Sequence, residues 1–308
     1  MDAANLPFAD RLVRGVRERG TPCIIGLDPD LEKVPESFLA EHGVTAEASL
    51  AERAEAAYAL CVLVLDAVAD LVSTVKPQAA YFERFGAAGV RALERTCAEA
   101  RRRGLLVLLD AKRGDIGSTA AAYAEAYLSA TPPRDGEADA LTVNPYLGLD
   151  SLEPFVDVAS RDRKGLFVLA KTSNPGSGDF QDRLIDGRPL YVHVAERLAG
   201  ACARTMGAEG YGGVGVVVGG TYPEPARLLR SKLPHSFFLV PGFGAQGADP
   251  SHVSAYFNAD GLGALVSSSR AVMYPHRFGA PDASRESIRA AAVAFVDQIG
   301  TALGRQRT

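Results

Sequence analysis

Five ionisable residues end runs that are otherwise hydrocarbon. The stretch LLVLLDAKRGDIGST (105–119) delivers Asp110 and Lys112 two residues apart, with Asp115 in the turn that follows. Lys76 stands near the end of LVSTVKP (71–77), and Asp28 closes CIIGLD (23–28). If these runs are strands, a period of two aims Asp110 and Lys112 at one face. A lone charge at a strand end ordinarily just reaches solvent. An alternating row of acids and bases in a partly desolvated cleft is strongly coupled, and such coupling concentrates at functional sites. A lysine flanked by carboxylates is held charged and oriented, suited to stabilising an anion as it forms. Lys112, or Lys171 at the end of GLFVLAKT (165–172), is also a possible Schiff-base amine, but that chemistry has no need of the D-x-K-x-x-D spacing.

The elements that must position this row recur along the whole chain. Eight apolar or β-branched runs cover 23–28, 71–77, 105–112, 138–145, 165–172, 212–220, 236–244 and 262–269. Each is nearly continuous, as expected of a parallel strand covered on both faces. Helical stretches at 49–70, 87–103, 118–129, 150–159, 190–206 and 223–232 separate most of them, with a shorter one near 250–257. Ser118 and Thr119 are placed to cap the third of these. Helices over about 5–19 and about 285–304 begin and end the chain, Phe8, Leu12, Val13 and Val16 sharing the apolar face of the first. The pattern predicts an α/β fold, a (β/α)8 TIM barrel with insertions in the loops, as one domain over 1–308. A doubly wound sheet is the alternative, but no G-x-G-x-x-G follows the first strand, and GFGAQG (242–247) has its glycines displaced and comes late. Insertions are expected at 29–48, 131–137 and 173–187, the first and third after strand C-termini, where barrels build their active sites.

Composition narrows the function. The 308 residues are 47% hydrophobic and 23% charged, enough for a large core, and the net charge of −4 supplies no field for nucleic acid or acidic lipid. No apolar run approaches a membrane span, and the N-terminus lacks the apolar core of a signal peptide, so a cytoplasmic protein is expected. Cys23, Cys61, Cys97 and Cys202 are isolated and the five histidines scattered, so no metal site is expected.

The pattern D-x-K-x-x-D-I-x-x-T, formed by Asp110, Lys112, Asp115, Ile116 and Thr119, resembles the signature of the orotidine 5'-phosphate decarboxylase family. VKPQAAYFERFG (75–86), VNPYLG (143–148), LAKTSNPGSGDFQ (169–181), PGFGAQG (241–247) and SSSR (267–270) extend the resemblance and are similar to the longer bacterial subgroup. It implies decarboxylation of orotidine 5'-monophosphate to UMP in de novo pyrimidine biosynthesis, without cofactor or metal. The catalytic alternation would be Lys76, Asp110, Lys112 and Asp115, with Lys112 protonating C6 and Asp110 near the substrate carboxylate. Asp28 would bind a ribose hydroxyl, with Lys76 at the ribose or carboxylate. Asp115, Ile116 and Thr119 would reach the neighbouring subunit's site, implying a homodimer with shared active sites. Gln246 and Arg270 would hold the phosphate, and Thr172 or Ser173 the pyrimidine edge, Ser173 being favoured. Asn144 is either at the mouth or a turn former before Pro145, and Lys171 a salt bridge at the rim. The chemistry is consistent with this array: loss of carbon dioxide leaves a carbanion on an sp² carbon, which needs a cation already beside it. The competing readings are a metal-assisted or Schiff-base sugar-phosphate lyase on the same barrel and a non-catalytic nucleotide-binding barrel.

Overall fold

The structure, a computed structural model, describes residues 5–132, 136–243 and 250–305. The eight apolar runs form eight parallel strands: β1 (Cys23–Leu27), β2 (Thr74–Pro77), β3 (Leu106–Arg113), β4 (Ala140–Val143), β5 (Gly165–Lys171), β6 (Gly212–Val218), β7 (Ser236–Pro241) and β8 (Ala264–Ser268). Each pairs with its neighbours in sequence, and β8 closes on β1 through Cys23↔Val266, so the sheet is a barrel and not a doubly wound layer. Burial on both faces is what the unbroken apolar runs require: β1, β2, β4, β6 and β8 are buried at every position.

The helices wrap the outside. They include α1 (Phe8–Arg19), α2 (Glu36–Glu41), α3 (Leu50–Val68), α4 (Ala79–Glu83), α5 (Gly86–Arg102), α6 (Gly117–Leu128), α7 (Glu153–Arg161), α8 (Leu190–Arg204), α9 (Pro223–Lys232), α10 (Arg270–Met273) and α11 (Arg285–Ala302). Ser49 and Glu52 start α3 with reciprocal side-chain to backbone bonds of 3.3 and 2.7 Å, satisfying two N–H groups that the helix leaves orphaned. The cap expected from Ser118 and Thr119 does not form. α6 begins at Gly117 with Ile116 at the capping position, so Ser118 and Thr119 lie inside the first turn and no side-chain capping bond is made.

α1 seals the N-terminal mouth of the barrel. Its Phe8, Leu12, Val13 and Val16 are buried, as their spacing predicts, and join Ile24, Leu108, Phe167, Phe237 and Leu265 in a core inside the barrel. A methyl group at Gly165 would lie 2.3 Å from the Phe8 ring, so this glycine is what lets α1 close down. Arg11 pairs with Asp139 at 2.6 Å, and the buried Asp10 accepts the N–H groups of Ala208 and Glu209, fastening the helix to the rim. With that end filled, the open space is left at the strand C-termini.

The insertions hold more structure than their turn-rich sequence suggests. The 29–48 segment contains α2. The 173–187 segment contains a 3₁₀ turn over Pro175–Asp179 and the first strand of a hairpin pairing Leu184–Ile185 with Arg188–Pro189. Pro250–Tyr256 is 3₁₀. All four cysteines are free and buried, and burial pushes the thiols of Cys23 and Cys97 up to about 12, so they act as small apolar side chains.

Candidate functional site

Asp110 is the centre of the site. It is buried at the end of β3, and each carboxylate oxygen takes two donors. Oδ1 accepts from Lys112 Nζ at 2.5 Å and Thr142 Oγ1 at 2.9 Å; Oδ2 accepts from Lys76 Nζ at 2.8 Å and Gln78 Nε2 at 3.0 Å. Burial by itself would raise its pKa, but the charges and hydrogen bonds of Lys76 and Lys112 outweigh it and hold the carboxyl well below the usual range. Lys76 is the mirror case. Burial disfavours its charge, yet Asp110 beside it, with Asp28 further off, raises its pKa, so it stays an ammonium at neutral pH.

Lys112 does not reach Asp110 by the regular pleat that the sequence suggests. Between the pairs Leu109↔Leu141 and Arg113↔Val143 the β3–β4 register shifts, and Lys112 sits at φ 49°, the left-handed region that an L side chain rarely occupies. Such a conformation costs about 1–3 kcal/mol and persists only where its surroundings impose it. Thr142 imposes it: its Oγ1 accepts both the Ala111 and Lys112 N–H groups, at 3.0 and 2.9 Å, which the displaced strand cannot give to β4. Arg113, on the other side of the bulge, is tied to Tyr127 Oη at 2.9 Å and ion-paired with Glu83.

Lys76, Gln78, Asp110 and Lys112 line a cavity of about 440 Å³ at the barrel mouth. Asp28 lies beside them; its backbone N–H meets Met273 Sδ at 3.0 Å, its carbonyl accepts from Tyr274 Oη at 2.6 Å, and its Oδ1 is buried with no partner. An orphaned carboxylate oxygen facing a cavity is an acceptor in search of a donor. Ser269 and Arg270, after β8, also line it, Ser269 close to Asp28, and Leu169, Val217 and Leu239 line its apolar part. The Arg270 guanidinium is exposed at the start of α10 and has no acidic partner among the described residues. An anion bound in this cavity thus meets Lys76, Lys112 and an arginine that has no acidic partner among the described residues.

Residues 22–273 match the Orotidine 5'-phosphate decarboxylase / HUMPS family. The orotidine 5'-phosphate decarboxylase of Rhodopirellula baltica is 46% identical over 96% of this chain and 99% of its own length. The chain belongs to this family. Solved structures agree: one from Streptomyces avermitilis is 39% identical, with a TM-score of 0.78 and 99% of both chains covered. The Leishmania donovani OMP decarboxylase is 33% identical, with a TM-score of 0.73, over 98% of this chain and 100% of that one.

Within this family member the residues expected at the site divide into three groups. Asp28, Lys76, Asp110, Lys112, Thr172, Ser173 and Arg270 all line the cavity. Asp115, Ile116 and Thr119 do not; Ile116 is 58% exposed and Thr119 is also exposed, so they face outward from the mouth. Gln246 lies outside the described residues. Of the open alternatives, Asn144 is the turn former, its Oδ1 accepting the Tyr146 N–H at 3.0 Å. Lys171 does make its salt bridge, to Asp182 at 2.8 Å, but from a buried position and not from the rim. Thr172 has its hydroxyl committed to Asn174 at 2.6 Å, while Ser173 makes no side-chain bond within the described residues. Sequence reasoning missed Gln78, Thr142, Asn174 and Gln181. A polar residue inside the apolar run ADALTVNP was the available signal for Thr142, and the two-residue spacing from Lys76 that for Gln78.

Proposed function

We propose that the protein decarboxylates orotidine 5'-monophosphate to UMP and carbon dioxide, with Lys112 as the acid that protonates C6. The observation that carries this reading is Asp110, buried and clamped between Lys76 and Lys112 at a cavity that Arg270 also lines. The bond from C6 to the carboxylate carbon breaks, its electron pair stays on C6, and carbon dioxide leaves. The Lys112 ammonium, already beside that position, stabilises the developing anion and transfers a proton to it. Solvent then restores the Lys112 proton. Lys76 holds Asp110 in place and lies toward the ribose or the carboxylate, and the unpartnered Oδ1 of Asp28 takes a ribose hydroxyl. Ser173, with its hydroxyl uncommitted, meets the pyrimidine edge. Arg270 and Gln246 hold the phosphate, and remote binding of that kind spends its energy on ordering the site around the reacting carbon.

A Schiff-base lyase fits less well: a lysine nucleophile works as a neutral amine, whereas Lys112 is ion-paired to Asp110 and the buried Lys171 to Asp182. The working unit is a homodimer in which Asp115, Ile116 and Thr119 complete the partner's site. In support, Ile116 after β3 and Tyr146, Leu147 and Leu149 after the neighbouring β4 are apolar side chains left 58%, 78%, 50% and 40% exposed. No helix among the described residues is long and apolar enough to cross a membrane, and the place of action we propose is the cytoplasm, in UMP synthesis, with no cofactor and no nucleic-acid partner.

The test is the loss of ultraviolet absorbance of orotidine 5'-monophosphate, with and without EDTA, for the wild type and Lys112→Ala. Turnover indifferent to EDTA and reduced at least about a hundredfold in the variant is expected. An inactive wild type overturns the assignment, and an active variant removes Lys112 from its role.

A further inference from the structure

The loop after β5 contains a chain of hydrogen bonds that starts at one backbone N–H. Thr172 N–H donates to Gln181 Oε1 at 2.8 Å. A main-chain amide only donates, so the Gln181 carboxamide must turn its oxygen there and its Nε2 toward Thr172 Oγ1, also 2.8 Å away. Nε2 only donates in its turn. The Thr172 hydroxyl accepts from Gln181 and still has its own proton, which goes to the oxygen of Asn174, Oδ1, at 2.6 Å. Asn174 thus has its carbonyl oxygen taken by the loop, and its Nδ2 amino group has no acceptor within the described residues. Asn174 and Gln181 both line the cavity.

The relay has a firm base. Lys171, at the end of β5, is buried, pairs with Asp182 at 2.8 Å, donates to Ser177 Oγ at 3.2 Å and lies 4.3 Å from the Tyr222 ring centroid. Strand and loop are thus tied together on both sides of the Thr172–Gln181 contact.

We propose that Asn174 is a specificity-determining residue: its amide N–H, left without an acceptor by the Gln181–Thr172 relay, donates to a carbonyl oxygen on the pyrimidine edge and disfavours a base that carries an amino group there. This rests on reading the cavity as a pyrimidine nucleotide site. A uracil-type edge offers an oxygen to that donor. A cytosine-type edge sets donor against donor and leaves both unpaired, which corresponds to roughly a ten- to hundredfold loss of affinity.

Gln181→Glu tests the direction of the relay with little change of shape. The carboxylate still accepts the Thr172 N–H, but its second oxygen also only accepts. The Thr172 hydroxyl must then donate to it, keeps only lone pairs for Asn174, and so turns the Asn174 oxygen toward the cavity. The experiment is calorimetric binding of UMP and CMP to the wild type, Gln181→Glu and Asn174→Ala. We expect the wild type to prefer UMP, and Gln181→Glu to reduce the UMP-to-CMP affinity ratio at least about tenfold. An unchanged ratio in a folded Gln181→Glu protein overturns the relay. If that variant does not fold, Asn174→Ala, an exposed truncation, decides: loss of UMP affinity alone supports the proposal, and equal loss for both nucleotides overturns it. A wild type that binds UMP without preferring it also overturns the proposal while sparing the site. A wild type that binds neither nucleotide overturns the reading of the cavity and the proposal with it.

Discussion

Asp110→Asn keeps the shape of the side chain and removes the anion that both lysines touch. Lys76 is 4% exposed and lies 2.8 Å from Asp110, so in the variant an ammonium is left in the interior with an amide oxygen for a neighbour and only the more distant charge of Asp28 to offset it. Removing one partner of a buried pair costs about 3–5 kcal/mol, because the survivor remains desolvated. Lys112, with its side chain 45% exposed, can turn to water and adds at most about 1 kcal/mol. The expected loss is therefore about 3–6 kcal/mol, a large part of the roughly 5–15 kcal/mol that holds a domain folded. If the stranded charge is the cause, adding Lys76→Met should restore most of the loss, making the double variant more stable than Asp110→Asn alone. Urea unfolding of the four proteins by circular dichroism, at one protein concentration and neutral pH, measures this cycle. The pH dependence has a definite sign. The native Asp110 pKa is depressed, so its stabilisation is complete above the unfolded value near 3.8 and is lost as pH falls through and below it. Asparagine abolishes that contribution, and its deficit shrinks as pH rises toward the range where an unpaired Lys76 gives up its proton. An Asp110→Asn protein within about 1 kcal/mol of wild type, or a double variant whose losses simply add, would refute the reasoning.

Thr142→Val keeps the volume but removes the acceptor of two N–H groups at the bulge and a donor to Asp110; kcat should fall on the order of a hundredfold with KM changed much less, as steady-state kinetics will show. Arg270→Ala should weaken binding of a phosphorylated ligand by roughly ten- to a hundredfold while leaving the affinity for the unphosphorylated nucleoside nearly unchanged, measured by calorimetry. Gly165→Ala forces a methyl to within 2.3 Å of the Phe8 ring and should cost about 1–3 kcal/mol in urea unfolding, an effect absent in a Phe8→Ala background. Mixing unfolded Lys112→Ala and Asp115→Asn chains and refolding them together should recover about a quarter of wild-type activity, since half the dimers would be mixed and each would own one intact site; no recovery would place both residues in the same chain's site.

The strands were legible because each is buried on both faces, a requirement that writes itself into the chain as an unbroken apolar run. All eight runs became barrel strands, shortened by no more than a few residues at either end. The charges at their ends were legible for the complementary reason: Asp28, Lys76 and Asp110 interrupt that hydrocarbon just where it meets the mouth. The 173–187 loop was not. Its polar, glycine-rich sequence carries no period, and its shape depends on Lys171, Asp182 and Tyr222, which are brought together only by the closed barrel. Gln78 and Thr142 escaped for the same reason, since their partner is a carboxylate on another strand.

The contact between Asp110 and Lys112 shows how a sequence rule can reach the right pair by the wrong path. A two-residue period puts both side chains on one face of a regular strand, yet β3 loses its register between Leu109 and Arg113 and carries Lys112 at φ 49°. Nothing within β3 announces this, because no glycine marks the position. What makes it tolerable lies on β4, where Thr142 accepts the two N–H groups that the bulge frees and donates to the carboxylate that binds Lys112. The roughly 1–3 kcal/mol of backbone strain is offset by those bonds and by the ion pair. It leaves Lys112 with a 45% exposed side chain lining the cavity, while Lys76 on the far side of the same carboxylate is shut away at 5%. One carboxylate thus holds two lysines in different environments, and the more accessible of the two is the one we propose as the acid.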